Sequence, residues 1–350
     1  MIYYIVLIIL VLIIGFSKNH NKSLKGIFVI LFLFSAVRFN IGTDYPKYYQ
    51  FTSGMIDIRE NNYMLMEPFN VLLIITGYIL HSPQFYFIIS SLLVSIFFYF
   101  GIKQNSSDYF LSTLCFICFP FFYLESMNIV RQFIAIAIIF YAIKYIYEKN
   151  FAKYASFILI ASLFHISALI AFILYINNFF DFNRQKNIFL LVLSIFLERI
   201  FHYLLQALAF LPFFSKINFY LSTNQEGYRF VFLSMIVLNI INLIFYNRIN
   251  KIDEKNKFLL DSFNIGCCLI FLFMDIPVIA GRLIFYFYAF LILIIPNYYR
   301  LFKQKVFIKS LLCIILIILF FIRIWYSSHL YDIGKMPSNP YIPYKTFLQS

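Results

Sequence analysis

The chain has 350 residues, of which 63% are hydrophobic and only 12% are charged, and its mean hydropathy is +0.84. These values exclude a water-soluble globular fold and indicate a membrane protein, in which most of the length forms crossings of about twenty residues each. The net charge of +13 does not indicate nucleic-acid binding, because Lys and Arg are concentrated in short loops between apolar segments. In such loops they set the membrane orientation and contact anionic lipid.

Continuous apolar runs predict an all-α, polytopic transmembrane bundle. In chain order they lie at 2–16, 24–37, 68–80, 83–102, 109–124, 128–147, 154–180, 188–211, 229–246, 258–279, 283–299 and 309–325. The first run has no basic segment before it and no small-residue cleavage site after it, so we expect a retained helix rather than a signal peptide. The five cysteines form no metal or disulfide pattern and are expected to be buried small hydrophobic residues.

The loop charges predict which side of the membrane each segment faces. Lys18, Lys22 and Lys25 place the first loop in the cytoplasm by the positive-inside rule, and the N-terminus is then outside. The following loop, 38–66, is external and is expected to begin the active site. The polar, proline-containing tail, 326–350, is expected to be an external cap.

Two runs are predicted not to cross the membrane simply. The 68–80 run is short enough to be re-entrant, and the 154–180 run is long and interrupted by His165, where the chain is expected to turn back. With these exceptions the lysine-rich loops all become cytoplasmic. The prediction is a single membrane domain, 1–350, with about ten full crossings plus re-entrant or half-membrane segments; a GT-C-like architecture, as in glycosyltransferases that use lipid-linked sugars, is compatible with it.

The same assignment brings five polar residues from distant parts of the chain to the outer face. They are Arg38, Asp44, Arg131, His165 and Arg282. An arginine at the centre of a membrane segment costs about 2.5–3.5 kcal/mol on insertion scales, so such arginines are functional candidates by default. Three of them in an otherwise apolar chain predict a pocket for a polyanion.

Arg38 and Asp44 are separated by the turn-forming residues Asn40, Gly42 and Thr43, which can fold the acid back towards the arginine. One interpretation is an ion pair that closes an external loop. The other is that Arg38 binds phosphate while Asp44 accepts a proton or holds a sugar hydroxyl.

Arg131 and Gln132 lie at the predicted outer start of a helix, where the free backbone amides favour an anion. A structural ion pair with Glu125 is the alternative for Arg131. Arg282 follows Pro277 and Gly281 and has bidentate geometry for phosphate oxygens, with a structural pair to Asp275 as its alternative.

The remaining candidates are weaker individually. His165 is either a satisfied core histidine or a neutral base, since burial disfavours its charged form. Tyr45, like other tyrosines near the outer face, is a candidate for stacking on a sugar. The acids of the external loop (Asp44, Asp57, Glu60 and Glu67) match no metal motif, and neither a metal nor another cofactor is predicted.

The chain has no glycine-rich phosphate loop and no nucleophile elbow, so the energy for any synthesis must come with the substrate. A lipid-linked diphosphate meets that need. Its tail lies in the bilayer, its diphosphate needs cations and its sugar extends outward.

Several stretches of the sequence resemble motifs of a known family. Arg38-Phe39-Asn40-Ile41-Gly42-Thr43-Asp44-Tyr45 is similar to the R-x-N-x-G-T-D-Y stretch of the EpsG family, whose members look like Wzy-type polysaccharide polymerases. Later blocks of that family resemble, in the same order, Glu67-Pro68-Phe69-Asn70, Arg131-Gln132 before Ala135 and Ala137, Ser162 to Leu169, Gly281-Arg282, and Pro340 to Tyr344.

The resemblance implies a membrane glycosyltransferase that joins undecaprenyl-diphosphate-linked oligosaccharide repeat units at the outer face of the bacterial cytoplasmic membrane. Arg38, Arg131 and Arg282 would neutralise the diphosphate leaving group, and either Asp44 or His165 would take the proton from the incoming hydroxyl. Tyr45 and Gln132 would contact substrate. The implied partners are the lipid-linked donor and acceptor, membrane lipid and a chain-length regulator protein.

Two other functions remain open from the sequence. A flippase for lipid-linked oligosaccharides would also need arginines for the diphosphate, but with charged residues at both faces of its cavity. A membrane acyltransferase would rest on His165 alone. Whether the polymer is O-antigen, capsule or exopolysaccharide stays open as well.

Overall fold

The computed structural model describes residues 1–15, 17, 19–56, 67–208, 229–334, 336 and 339–349. Its described part is mostly helical with almost no sheet, and this agrees with the prediction of an all-helical membrane protein. The chain forms two compact units, of which unit 1 comprises Met1–Leu169 with Phe302–Ser350 and unit 2 comprises Ile170–Leu301. The prediction of a single membrane domain stays a prediction.

The described residues of unit 1 form nine α-helices. They are α1 (Ile2–Gly15), α2 (His20–Ala36), α3 (Tyr45–Thr52), α4 (Pro68–Ile79), α5 (Pro83–Asn105), α6 (Tyr109–Cys118), α7 (Val130–Tyr147), α8 (Phe151–Ser162) and α15 (Lys305–Asp332), with 3-10 turns at Glu125–Met127 and Ile166–Ala171. Side-chain caps begin several of them: Asn19 accepts from the Lys22 amide and Asp108 from the Leu111 amide, both at 3.1 Å. Such caps satisfy backbone amides that have no partner inside the helix.

Helix α7 lies at the centre of unit 1, because it is buried on nearly every side and packs against both α5 and α8. Its contact with α5 is close. A Cβ atom on Gly101 of α5 would lie 2.5 Å from the Phe140 ring of α7. Small residues at such positions let membrane helices approach closely and gain van der Waals contact.

A short antiparallel strand pair fixes the two ends of unit 1 to each other. β1 (Arg38–Phe39) directly follows α2 and pairs with β2 (Lys345–Thr346) near the C-terminus. Helix α15 continues to Asp332, and the described residues after 339 return to the start of the 38–66 loop through this strand pair. The loop acids Asp57 and Glu60 lie outside the described residues.

Unit 2 contains six α-helices in its described residues. They are α9 (Phe172–Ile176), α10 (Arg184–Leu208), α11 (Arg229–Asn250), α12 (Lys255–Leu272), α13 (Pro277–Tyr288) and α14 (Leu291–Tyr298), with 3-10 turns at Asn177–Phe179 and Tyr299–Leu301. Pro277 begins α13, and the apolar run predicted over 258–279 is divided there because proline is well accommodated in a first helical turn.

A chain of buried polar side chains joins α10, α11 and α12. Asn239 donates to Asn264 (2.7 Å), Asn264 to Asn187 (3.0 Å), and Asn187 to the Asp261 carboxylate (2.5 Å), which also accepts from the Tyr246 hydroxyl (2.7 Å). Interhelical bonds of this kind hold membrane helices together where apolar burial gives no drive for association.

The helix lengths show which of the predicted crossings are long enough to span a membrane. Among the described residues, five helices are long and apolar enough to span a membrane, or six if the pair bent by 51° over Pro277–Leu301 is one span. Helix α4 is 12 residues long, and α8 ends at Ser162, just before His165. The topology of the 68–80 and 154–180 runs and the count of about ten crossings both stay predictions.

Candidate active site

Asp44 belongs to the 38–66 loop and connects this loop to the start of α7. Its Oδ2 accepts a hydrogen bond from the Val130 amide at 3.1 Å, so the carboxylate occupies the anion position of a helix N-terminus. Oδ1 has no hydrogen-bond donor among the residues that the structure describes. One carboxylate oxygen is thus held in place while the other is available to a ligand.

Burial raises the pKa of Asp44 from 3.8 to about 6. The Val130 hydrogen bond and the positive charges of Arg131 and Lys47 act in the opposite direction, and the nearby Glu125 adds to the increase. A carboxylate with this pKa exchanges protons near neutral pH, as a general base must.

Arg131 forms an ion pair with Glu67 and not with Glu125. Its Nη1 lies 2.6 Å from Glu67 Oε2, and a quarter of the side chain is exposed. Glu67 is the only hydrogen-bond partner found for this guanidinium in the described part of the chain. The remaining N–H groups have no hydrogen-bond partner among the described residues, and the exposed quarter of the side chain can meet a ligand.

Glu67 also connects this arginine to the segment that contains His165. Its second oxygen, Oε1, accepts from the Ile166 amide at 3.1 Å, and the Phe69 amide donates to the Leu163 carbonyl at 3.1 Å. The start of α4 thus binds the break after α8. Asp44, Arg131 and His165 are thus brought to one end of unit 1, and the assignment of that end to the outer face stays a prediction.

His165 is buried, and its ring nitrogen Nδ1 lies 2.6 Å from the Ser167 hydroxyl. The Ser167 amide also points to Nδ1, at 3.4 Å. An amide cannot accept, so Nδ1 is assigned as the acceptor and the proton of the neutral ring is assigned to Nε2. In this tautomer the ring has no free position for a second proton unless the Ser167 contacts break.

The structure does not place Arg38 in the ion pair with Asp44 that was one of its two interpretations. The side chain is 1% exposed, and it donates from Nη1 to the Ser35 carbonyl (2.6 Å) and Ser91 Oγ (3.1 Å), and from Nε to the Ile41 carbonyl (3.2 Å). It forms no ion pair with Asp44 in the described structure. These bonds close the turn that carries Asp44, and the adjoining serine-lined cavity of about 10 Å³ has room for about one water molecule.

The two predicted substrate contacts, Tyr45 and Gln132, are both buried. The Tyr45 hydroxyl donates to Gln84 Oε1 at 3.0 Å, and its ring stacks on Phe87 at 4.0 Å. Because Phe87 covers one ring face, Tyr45 supports the loop, and its proposed stacking on a sugar stays a prediction.

Arg282 belongs to unit 2, in the second turn of α13, and is half-buried. Asp275, its predicted structural partner, has Oδ2 2.8 Å from His202 Nδ1. The role of Arg282 in the same site stays a prediction.

Several residues that hold the site did not emerge as site residues from the sequence. Asn128 is the main one: its Oδ1 accepts from the Thr43 amide (3.2 Å), while its Nδ2 donates to Glu125 (3.1 Å) and to the Tyr341 hydroxyl (2.6 Å). Glu125 in turn pairs with Arg323 of α15 at 3.0 Å. The sequence feature that could have pointed to this support is Arg323, an arginine near the end of a long apolar run.

Gly42 lets the Asp44 loop pass close to this support. Its φ is +95°, its amide donates to the Pro340 carbonyl at 2.8 Å, and a Cβ atom there would lie 2.0 Å from the Met127 carbonyl oxygen. Both the backbone conformation and the contact require glycine.

We expect Gly42→Ala to destabilise the protein by at least about 1–3 kcal/mol, the cost of a strained backbone conformation, and to displace Asp44. The measurement is the thermal unfolding midpoint in detergent together with chain growth. Gly26→Ala is the matched control, because Gly26 lies inside α2 with its nearest new contact at 3.6 Å. Equal midpoints for the two variants would contradict this account of the loop.

The comparisons with known proteins identify the family of the chain. No curated protein and no solved structure matches the chain, whereas the EpsG family model matches residues 23–346, which include every candidate residue discussed above. The chain therefore belongs to the EpsG family, a family of Wzy-like polymerases.

Proposed function

We propose that the protein polymerises oligosaccharide repeat units linked to undecaprenyl diphosphate, at the outer face of the cytoplasmic membrane, by inverting glycosyl transfer. One observation carries the proposal: a carboxylate whose pKa is about 6 meets, at the first turn of α7, an arginine whose only hydrogen-bond partner among the described residues is Glu67. A base and a cation for a leaving group are the two elements that this transfer needs.

In the proposed step, Asp44 takes the proton from a hydroxyl of the acceptor repeat unit. The hydroxyl oxygen attacks the anomeric carbon of the donor sugar from the face opposite the diphosphate, and a new glycosidic bond forms. The bond from that carbon to the phosphate oxygen breaks, undecaprenyl diphosphate leaves with the electron pair, and the proton stays on Asp44 until it passes to water.

The choice of Asp44 over His165 rests on their hydrogen bonds. Asp44 keeps Oδ1 without a donor among the described residues. His165 has Nδ1 occupied by Ser167, so it suits a positioning role beside Glu67. The break after α8 would then fix the Glu67–Arg131 pair rather than supply the base.

The arginines divide between binding and support. Arg131 would donate to the diphosphate through the N–H groups that Glu67 leaves free, and Arg282 is kept as the further diphosphate ligand that the sequence predicts. Arg38, whose Nε and Nη1 are bonded to loop carbonyls and Ser91, would act on the diphosphate mainly through its charge and through the turn that it closes.

The direct test is incubation of the purified protein with a lipid-linked repeat unit in the absence of nucleotide. We expect a ladder of longer glycans, with release of undecaprenyl diphosphate, and the same ladder after treatment with a chelator. A lipid-linked unit that changes sides of a vesicle without growing would instead support a flippase, and chelator-sensitive growth would contradict the metal-free mechanism.

A further inference from the structure

A large cleft lies at the end of unit 1 opposite Asp44. It has a volume of about 1060 Å³, and its lining includes His20, Ser106, Asp108, Lys309 and Cys313. We refer to it as the Lys309 cleft. These residues belong to the start of α2, the α5–α6 connection and the start of α15, whereas Arg38 follows the end of α2 and Gln84, which binds the Arg38 carbonyl, begins α5.

The lengths of these helices give the distance between the two places. At 1.5 Å per residue, α2 and α5 span about 25 Å and about 35 Å, which is close to the thickness of a hydrocarbon core. The Lys309 cleft therefore lies about one membrane thickness from the proposed active site and is separate from it.

The lining of the cleft changes from polar to apolar. At the polar end, the Lys309 ammonium pairs with Asp108 at 2.5 Å beside the Ser106 and Ser107 loop. The apolar end includes Leu12, Ile314 and Ile317. Such a lining matches a molecule with a charged head and a hydrocarbon tail.

An apolar groove continues from this end along α15. It has a volume of about 380 Å³, and its lining, which again includes Ile317, extends through Phe321 to Met1 and Trp325. From Lys309 to Trp325 the helix rises about 24 Å. The cleft and the groove together thus provide a head site with a path for a long chain.

The charges around the polar end favour an anionic head. Exposed lysines lie at the start of α2 (Lys22 and Lys25) and at the start of α15 (Lys303 and Lys305). Clusters of basic residues next to apolar helices attract anionic lipids by about 1 kcal/mol per residue near the surface.

From these observations we infer that the Lys309 cleft binds a membrane phospholipid with an anionic head. The phosphate of the head contacts the Lys309 end, and one acyl chain lies in the groove along α15. This site does not depend on the proposed polymerase reaction.

Cys313 provides a probe inside the cleft. It is half-exposed, Cys115, Cys118 and Cys267 are buried, and Cys268 is the other half-exposed cysteine. In a Cys268→Ser background, delipidated protein in detergent is treated with a maleimide after addition of phosphatidylglycerol, phosphatidylcholine or inorganic phosphate. We expect phosphatidylglycerol to slow Cys313 labelling at least fivefold, phosphatidylcholine to slow it less than twofold, and phosphate alone to leave it unchanged.

The variants test the charged end. Lys309→Gln with Asp108→Asn replaces the ion pair by a neutral pair and is expected to abolish the protection, whereas Lys153→Gln, which removes an exposed lysine of α8 outside the cleft, is expected to keep it. Native mass spectrometry of the same samples should show one retained phosphatidylglycerol in the protected protein only. Unchanged labelling with phosphatidylglycerol, equal protection by both lipids, or protection by phosphate alone would overturn the proposal.

Discussion

Asp44→Asn is expected to reduce chain growth by about 10²–10⁴-fold, the usual contribution of a general base. The asparagine side chain keeps an oxygen for the Val130 amide, so the start of α7 remains capped and the loss reports the missing proton acceptor. Chain growth should be measured as glycan ladder length and as released undecaprenyl diphosphate per unit time.

The pH dependence follows from the pKa of about 6. Burial raises this pKa, so Asp44 is increasingly protonated and inactive below pH 6. The rate should therefore rise about tenfold per pH unit up to that value and level off above it.

Two further variants separate this explanation from its rivals. Asp253→Asn is the matched control, since the exposed Asp253 also accepts a backbone amide at a helix start (Lys255, 2.9 Å), and it should leave the rate unchanged. His165→Gln should retain the acid limb with a loss of less than about tenfold. If the limb instead disappears with His165→Gln and persists in Asp44→Asn, the base is His165.

Arg131→Gln is the second large effect, with an expected loss of about 10²–10³-fold, as for removal of one donor to a developing oxyanion. Its guanidinium is partly exposed and, within the described structure, hydrogen-bonded to Glu67 alone. Arg131→Lys should recover part of the rate, because a lysine keeps the charge but loses the planar, bidentate donors.

The ion pair with Glu67 allows a direct role of Arg131 to be distinguished from a purely structural one. If Arg131 matters only as the partner of Glu67, then Glu67→Gln should be as damaging as Arg131→Gln. We expect Glu67→Gln to cost less than about tenfold and the double variant to resemble Arg131→Gln, which a double-mutant cycle measures. Arg248→Gln, an exposed arginine of α11, serves as the control for lost positive charge.

The polymerase proposal and the lipid-site proposal can fail independently of each other. A protein that binds phosphatidylglycerol at the Lys309 cleft but forms no glycan ladder would retain the lipid site and lose the polymerase proposal. The reverse result would remove only the lipid site.

Several parts of this protein were predictable from the sequence because they depend on local composition. Continuous apolar runs must become helices in lipid, where each backbone amide needs an internal partner, and the structure is correspondingly helical. The interruption at His165 and the shortness of the 68–80 segment were also visible as patterns. The family membership rests on short motifs, and the family model confirms it.

The partners of the charged side chains depended on the tertiary structure. An ion pair with Asp44 was one of two interpretations of Arg38, which instead binds the carbonyls of Ser35 and Ile41. Arg131 pairs with Glu67, 64 positions earlier in the chain. A sequence shows which charged side chains are costly to bury. It does not show which residues at the starts of distant helices will pair with them. Asp44 is the clearest example. Its motif was recognisable in the sequence, whereas its pKa of about 6 results from burial against α7, which only the tertiary structure decides.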